Sequence, residues 1–158
     1  MPVYRSSAHA RYDCRYHIVW IPKYRKKILI GKIKERVIDL INQRSESLKV
    51  LVLKGSIEPD HIHLYVSMPP SLSVSKYVNY IKGMTSRMLR IEFTDELKTH
   101  YWKPVLWADG YFAATVGEIS DELIRNYIAK QETREKEEIN QEEVWNTTQE
   151  PPDLKAGE

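Results

Sequence analysis

The chain predicts an α+β protein with a ferredoxin-like (RRM-like) antiparallel sheet, ordered β-α-β-β-α-β with helices on one face and an open face opposite, plus a C-terminal helix. Three observations carry that expectation. CRYHIVWIP is a run of β-branched and aromatic residues that stops at Pro22, a residue that cannot donate to a strand ladder. LKVLVLKGSIEP and DHIHLYVSMPP are two strand-like runs separated by only Glu58-Pro59-Asp60, a gap that suits an antiparallel turn. Between and after these runs, apolar residues change to helical spacing. The length of 158 residues fits one domain with a real core.

Each element follows from its own residues. The first strand is CRYHIVWIP. After a basic loop, Ile33, Val37, Ile38, Ile41 and Leu48 recur at helical spacing with Lys34, Glu35, Arg36 and Asp39 between them, which predicts the first helix. The two runs around Pro59 are the second and third strands, and Pro69 and Pro70 end the latter. Ser73 is placed to cap a second helix whose apolar stripe is Val74, Tyr77, Val78, Ile81, Met84, Thr85, Met88 and Leu89. Gly83 inside it is a mild penalty that can mark close packing. YWKPVLW and YFAATVG, separated by Ala108-Asp109-Gly110, predict a hairpin or a strand with a turn at Asp-Gly. The last helix is expected from about Ser120, with Asp121 and Glu122 in the first turn, where negative charge suits the helix dipole.

Composition narrows the function. No segment approaches the run of about 20 apolar residues that a membrane span needs, so a cytoplasmic protein is expected. Cys14 is the single cysteine, which excludes an intrachain disulfide and a cysteine zinc cluster. No glycine-rich phosphate loop is present to support ATP use. The net charge of +2 conceals a division: residues 132–158 carry nine acids and three bases, which leaves +8 on residues 1–131. A globular part that basic suits a polyanion. The densest patch is PKYRKK, with Lys23, Arg25, Lys26 and Lys27, and tyrosines are interleaved with the bases around it. Cations that hold phosphates beside aromatics that stack bases fit single-stranded nucleic acid; a solvated, solubilising surface accounts equally for the charges. Arg87 and Arg90 are further candidate contacts on the second helix, with Lys82 beside them. Trp102, Trp107, Tyr111 and Phe112 are candidate base-stacking residues, although most such rings are simply core.

Two constellations can carry chemistry. On a strand, His61, His63 and Tyr65 share one face, and Ile62, Leu64 and Val66 share the other. The histidine α carbons then lie roughly 6 to 7 Å apart, near enough for both rings to reach one divalent ion. By itself such a triplet more often marks solvated or hydrogen-bonded histidines. On the last helix, Tyr127 and Gln131 are four residues apart and therefore neighbours, beside Ile124 and Ile128. Spacing alone makes them part of an amphipathic stripe.

YHIVWIPKYRKK, EPDHIHLYVSMPP, YFAATVG and NYIAKQ, in that order, resemble the single-tyrosine HUH transposases of small insertion sequences, the TnpA type that moves single-stranded DNA. The resemblance spans about residues 10 to 132. It implies that His61, His63 and Gln131 bind a divalent metal, Mg²⁺ or Mn²⁺, and that Tyr127 is the nucleophile that forms a 5′-phosphotyrosine. It also implies DNA hairpins as partners and a homodimer whose active sites can be shared, with Gly117 before the helix as a hinge or an ordinary turn glycine. Residues 1–132 are then the HUH transposase domain. Residues 133–158 are an acidic helical extension and a flexible tail that match no motif of the family. The alternatives are a domesticated repeat-associated tyrosine nickase, a non-catalytic single-strand nucleic-acid binder, and a metal phosphohydrolase that uses water.

Overall fold

The computed structural model describes residues 4–115 and 121–148, with side chains in the last segment described for 122–138. A small hairpin, β1 (Arg5–Ser6) and β2 (Arg11–Tyr12), precedes the main sheet and was not foreseen from the sequence. It is held down by the Arg5 guanidinium, which donates to the Ser67 carbonyl at 2.9 Å and the Lys49 carbonyl at 3.0 Å.

The main sheet contains β3 (Arg15–Trp20), β4 (Leu51–Glu58), β5 (His61–Ser67) and β6 (Phe112–Ala114). Their order is β4-β5-β3-β6 with every pairing antiparallel, the ferredoxin-like arrangement expected. Helices α1 (Gly31–Ser47) and α2 (Val74–Glu92) cover one face. Ser73 caps α2 as expected, its side chain accepting from the Lys76 amide at 3.1 Å. Under these helices Ile18, Trp20, Ile62, Leu64 and Val66 meet Ile33, Val37, Tyr77, Ile81 and Leu89 in one apolar cluster.

Three expectations are corrected. YWKPVLW forms no strand; only an isolated bridge joins Trp107 to Pro22. Pro104 sits inside a tight turn in which the Val105 amide donates to the Lys103 carbonyl at 2.8 Å. The flanking rings act as anchors instead, Tyr101 donating to the Lys23 carbonyl at 2.8 Å and Trp107 Nε1 to Thr85 Oγ1 at 2.9 Å. Gly83 marks no close approach, because a Cβ there would meet open space. The second face of the sheet is not left open: α4 (Asp121–Thr148) lies on it, where Ile124 and Ile128 pack against Val19, Ile21 and Ala108. A short helix, α3 (Thr94–Lys98), follows α2. No helix among the described residues is long and apolar enough to cross a membrane.

The division at residue 132 falls inside α4, which runs on without a break and buries Glu135. Ser120 and Gly117 lie outside the described residues, as does the tail beyond 148.

Candidate functional site

Strand alternation puts His61, His63 and Tyr65 on the face away from α1 and α2, and the pairing with β3 adds two residues there. Val19 is opposite His63, and His17 is opposite Tyr65. Buried His17 lies with Nδ1 3.0 Å from His63 Nε2 and stacks on the Tyr65 ring at 4.4 Å. The sequence reading missed His17. Its only signal was a second histidine on a buried strand, and the cross-strand register that joins it to His63 is a tertiary fact. At the start of β5, His61 Nδ1 is 2.8 Å from Asp60 Oδ1. With Nδ1 directed at a carboxylate, the outward nitrogen of His61 is Nε2, the arrangement that orients a ligating imidazole. Burial pushes the Asp60 carboxyl up, but hydrogen bonds from His61 and Arg25 outweigh it and hold the group below its ordinary range.

On α4, helical spacing brings Tyr127 and Gln131 together as predicted. Gln131 Nε2 donates to the Tyr127 hydroxyl at 3.2 Å and to the Asp109 carbonyl at 2.7 Å. These two bonds use the nitrogen end of an amide that is only 8% exposed. The Asp-Gly turn expected at 109–110 is what admits it. Gly110 has φ +85°, and a Cβ added there would lie 3.2 Å from Gln131 Nε2. The Tyr127 ring sits 6.0 Å from that of Phe112 on β6. Burial raises the Tyr127 pKa, opposed by the hydrogen bond from Gln131, so the group remains a neutral phenol at pH 7.

One side chain joins the two halves. Arg25 donates from Nε to Asp60 Oδ2 at 2.9 Å and from Nη1 to Glu132 Oε2 at 2.9 Å. Asp60 precedes His61 and Glu132 follows Gln131, so the head of the histidine strand and the Gln131 turn of α4 lie within reach of a single guanidinium. Among the described residues no group of three or more His, Cys, Asp or Glu side chains forms an ion cage. The donors to weigh are therefore two imidazoles and an amide oxygen. They suit a divalent ion in part. His61 is oriented by Asp60, and Gln131 keeps Oε1 out of its two bonds, whereas the 3.0 Å contact of His63 Nε2 with His17 has to open for that nitrogen to ligate.

Residues 10–131 match the family model described as IS200-like transposase. The chain belongs to that family. The IS200 transposase of Salmonella typhimurium is 38% identical over 127 residues, covering 80% of this chain and 82% of the relative. The ISDra2 transposase TnpA of Deinococcus radiodurans is 29% identical, covering 78% and 88%. A crystal structure of a D. radiodurans protein assigned as a transposase superposes with a TM-score of 0.73 at 25% identity, over 80% of this chain and 97% of that one. A REP-associated tyrosine transposase, solved bound to a REP hairpin, shares the fold with a TM-score of 0.50 at 12% identity, over 78% and 68%. This IS200-like transposase is thus an enzyme of DNA cleavage and strand transfer.

The cations expected to touch DNA fall into different groups in the transposase. Lys23 faces Glu135 at 4.0 Å and Glu138 at 3.8 Å, and Arg25 is engaged by Asp60 and Glu132. The loop between them bends sharply: Tyr24 (φ 58°) and Arg25 (φ 51°) both occupy the left-handed region. The Tyr24 amide donates to Glu135 Oε2 at 2.6 Å. Lys26, Lys27 and Arg87 are exposed, while Arg90 is half-buried and bonded to Ser86 at 3.2 Å. Lys82 turns inward to the carbonyls of Ala108 and Gly110 at 2.7 and 2.9 Å.

Proposed function

We propose that this transposase cleaves and rejoins single-stranded DNA through Tyr127, at hairpins near the ends of an insertion sequence. The observation that carries the reading is the Arg25 bridge, because it ties the strand bearing His61 and His63 to the helix turn bearing Tyr127 and Gln131. The Tyr127 oxygen attacks a phosphodiester, the bond from phosphorus to the 3′ oxygen breaks, and a 5′-phosphotyrosine and a 3′ hydroxyl result. The phenol loses its proton and the departing oxygen gains one. Because the phosphoester bond is kept on tyrosine, attack by a 3′ hydroxyl reverses the step and joins strands without a nucleotide cofactor.

His61, His63 and Gln131 are the residues that would hold Mg²⁺ or Mn²⁺, which supplies Lewis-acid help to the phosphate. Such help is needed, since burial holds Tyr127 as a neutral phenol. Gln131 positions the hydroxyl from one side and the Asp109 carbonyl fixes Gln131 from the other. Exposed Lys26, Lys27 and Arg87 contact the DNA backbone, joined by Lys23, Arg25 and Arg90 where the strand displaces their present partners. A homodimer is supported by β4, an outer strand of the sheet with exposed Leu51 and Leu53. A cytoplasmic place follows from work on DNA.

The test is to incubate the protein with hairpin-bearing single-stranded DNA and Mn²⁺ or Mg²⁺ and to resolve a covalent adduct on a denaturing gel. Tyr127→Phe abolishes the adduct, and His61→Ala or His63→Ala reduces it to background. An adduct that persists in Tyr127→Phe sinks the assignment, and cleavage without an adduct points to attack by water.

A further inference from the structure

We propose that the pocket between the end of α2, α3 and the Lys103-Pro104-Val105 turn is a second single-strand subsite, in which one unpaired nucleobase stacks on Trp102 and the flanking phosphates rest on Arg90, Lys98 and Lys103. The subsite rests on the reading of this transposase as a single-strand DNA enzyme, and it adds a binding place lined by residues other than Tyr127, His61, His63 and Gln131.

The argument begins with which aromatic rings are available. Trp107 is 7% exposed, bonded to Thr85 and set edge-on to Trp20, so it is core. Tyr111 packs against the helix-side core and Phe112 against the α4 cluster. Trp102, by contrast, is 79% exposed, more than any other large apolar side chain among the described residues. Leaving an indole in water forgoes its large burial energy.

Its setting specifies a ligand. The ring lines a cavity of about 290 Å³ together with Arg90, Lys98 and Lys103, and no carboxylate among the described residues lines it. The Lys103 ammonium sits 4.5 Å from the ring centroid. That cation occupies one face of the indole, and the high exposure leaves ring surface for another flat group. A planar base with a phosphate on either side matches one aromatic face bordered by three cations. The pocket also has a direct connection to the basic loop. Tyr101, part of its lining, donates to the Lys23 carbonyl at 2.8 Å, and Lys26 and Lys27 follow a few residues on. A strand that crosses that loop has Trp102 beside its path.

Fluorescence anisotropy of a labelled oligothymidylate about 20 nucleotides long, at fixed salt, tests the subsite. Trp102→Ala weakens binding about tenfold and Trp102→Phe restores most of it, since any aromatic face stacks a base. An abasic strand of the same length binds wild type and Trp102→Ala alike. Lys98→Ala lowers the slope of log affinity against log salt by about 0.7 on either strand. Unchanged affinity in Trp102→Ala, or an equal loss on the abasic strand, overturns the stacking subsite. Circular dichroism of Trp102→Ala guards against misfolding, and the exposed position predicts a spectrum like that of wild type. If wild type forms the Tyr127 adduct while Trp102→Ala binds normally, only the subsite fails. If wild type binds no DNA, both readings fail.

Discussion

The two faces of the sheet are covered in different ways. Under α1 and α2 lies a continuous apolar cluster that includes Trp20, Tyr77 and Leu89, all shielded from water. Under α4, among the described residues, the apolar contact is smaller, with Val19, Ile21 and Ala108 against Ile124 and Ile128 and with Phe112 and Tyr127 packed beside them. The rest of that contact is polar: Arg25 to Glu132, the Tyr24 amide to Glu135, Lys23 to Glu135 and Glu138, and Gln131 to Asp109. Apolar burial is non-directional and hard to exchange, whereas half-exposed ion pairs are weak and their partners can be replaced. One face therefore holds the fold, and the other holds a helix whose carboxylates sit where DNA phosphates would also be attracted.

Truncating the first face is the largest break. Leu89→Ala should cost about 2 to 5 kcal/mol in urea unfolding, because the residue is fully buried in the helix-side core. Tyr127→Phe, on the other face, should change stability by less than about 1 kcal/mol while removing all adduct. Comparable losses from the two would refute the division of labour.

Gly110→Ala comes next and acts on the site more than on the fold. Its left-handed φ makes an L side chain cost about 1 to 2 kcal/mol, and the new methyl crowds Gln131 Nε2. Since Gln131 also holds the Tyr127 hydroxyl, the adduct rate should fall by up to about 100-fold. A variant that loses stability but keeps its rate would show that Gln131 does not position the Tyr127 hydroxyl for the proposed attack.

Arg25→Ala should loosen α4 by about 1 kcal/mol, seen as faster amide exchange in α4 and none in α2. The ion pairs to Asp60 and Glu132 are lost, while alanine keeps the left-handed backbone at a similar cost, so the change reports the ion pairs. High salt should mimic the substitution on α4 alone, since screening weakens surface ion pairs and leaves apolar contacts intact. Equal exchange in both helices under high salt would count against a polar attachment of α4.

Local patterns made much of this legible in advance. Alternation along His61-Ile62-His63-Leu64-Tyr65-Val66 identified the face of each histidine, and four-residue spacing brought Tyr127 beside Gln131. Pairings between distant segments were not legible. His17 meets His63 only because β3 and β5 pair in one register, and Arg25 meets Glu132 across 107 positions. YWKPVLW has the composition of a strand, yet tertiary anchoring of its rings outweighs that propensity. The bases of PKYRKK revealed an electrostatic need without showing that α4 already meets part of it.

The smallest effect separates the faces by pH. On the helix side, burial raises the pKa of Tyr77 and Tyr101. A raised folded pKa means that stability is present below the ordinary tyrosine range and is lost as pH climbs through the folded values, so that side weakens under alkaline conditions. Its acid limit is set by Glu92, which the hydrogen bond from Arg36 holds below its usual range and whose contribution fades as pH falls through that lowered value. On the α4 side, burial raises the pKa of Glu135, only 4% exposed, despite Lys23 and the Tyr24 amide. Its contribution is likewise present at low pH and lost as pH rises through the raised value, which lies on the neutral side of an ordinary glutamate. Acidification from pH 7 through that raised value should therefore slow amide exchange in α4, after correction for intrinsic rates, and leave α2 unchanged. Faster exchange in α4 over that interval would mean that Glu135 holds the helix through its charge, and that Lys23 outweighs burial at that position.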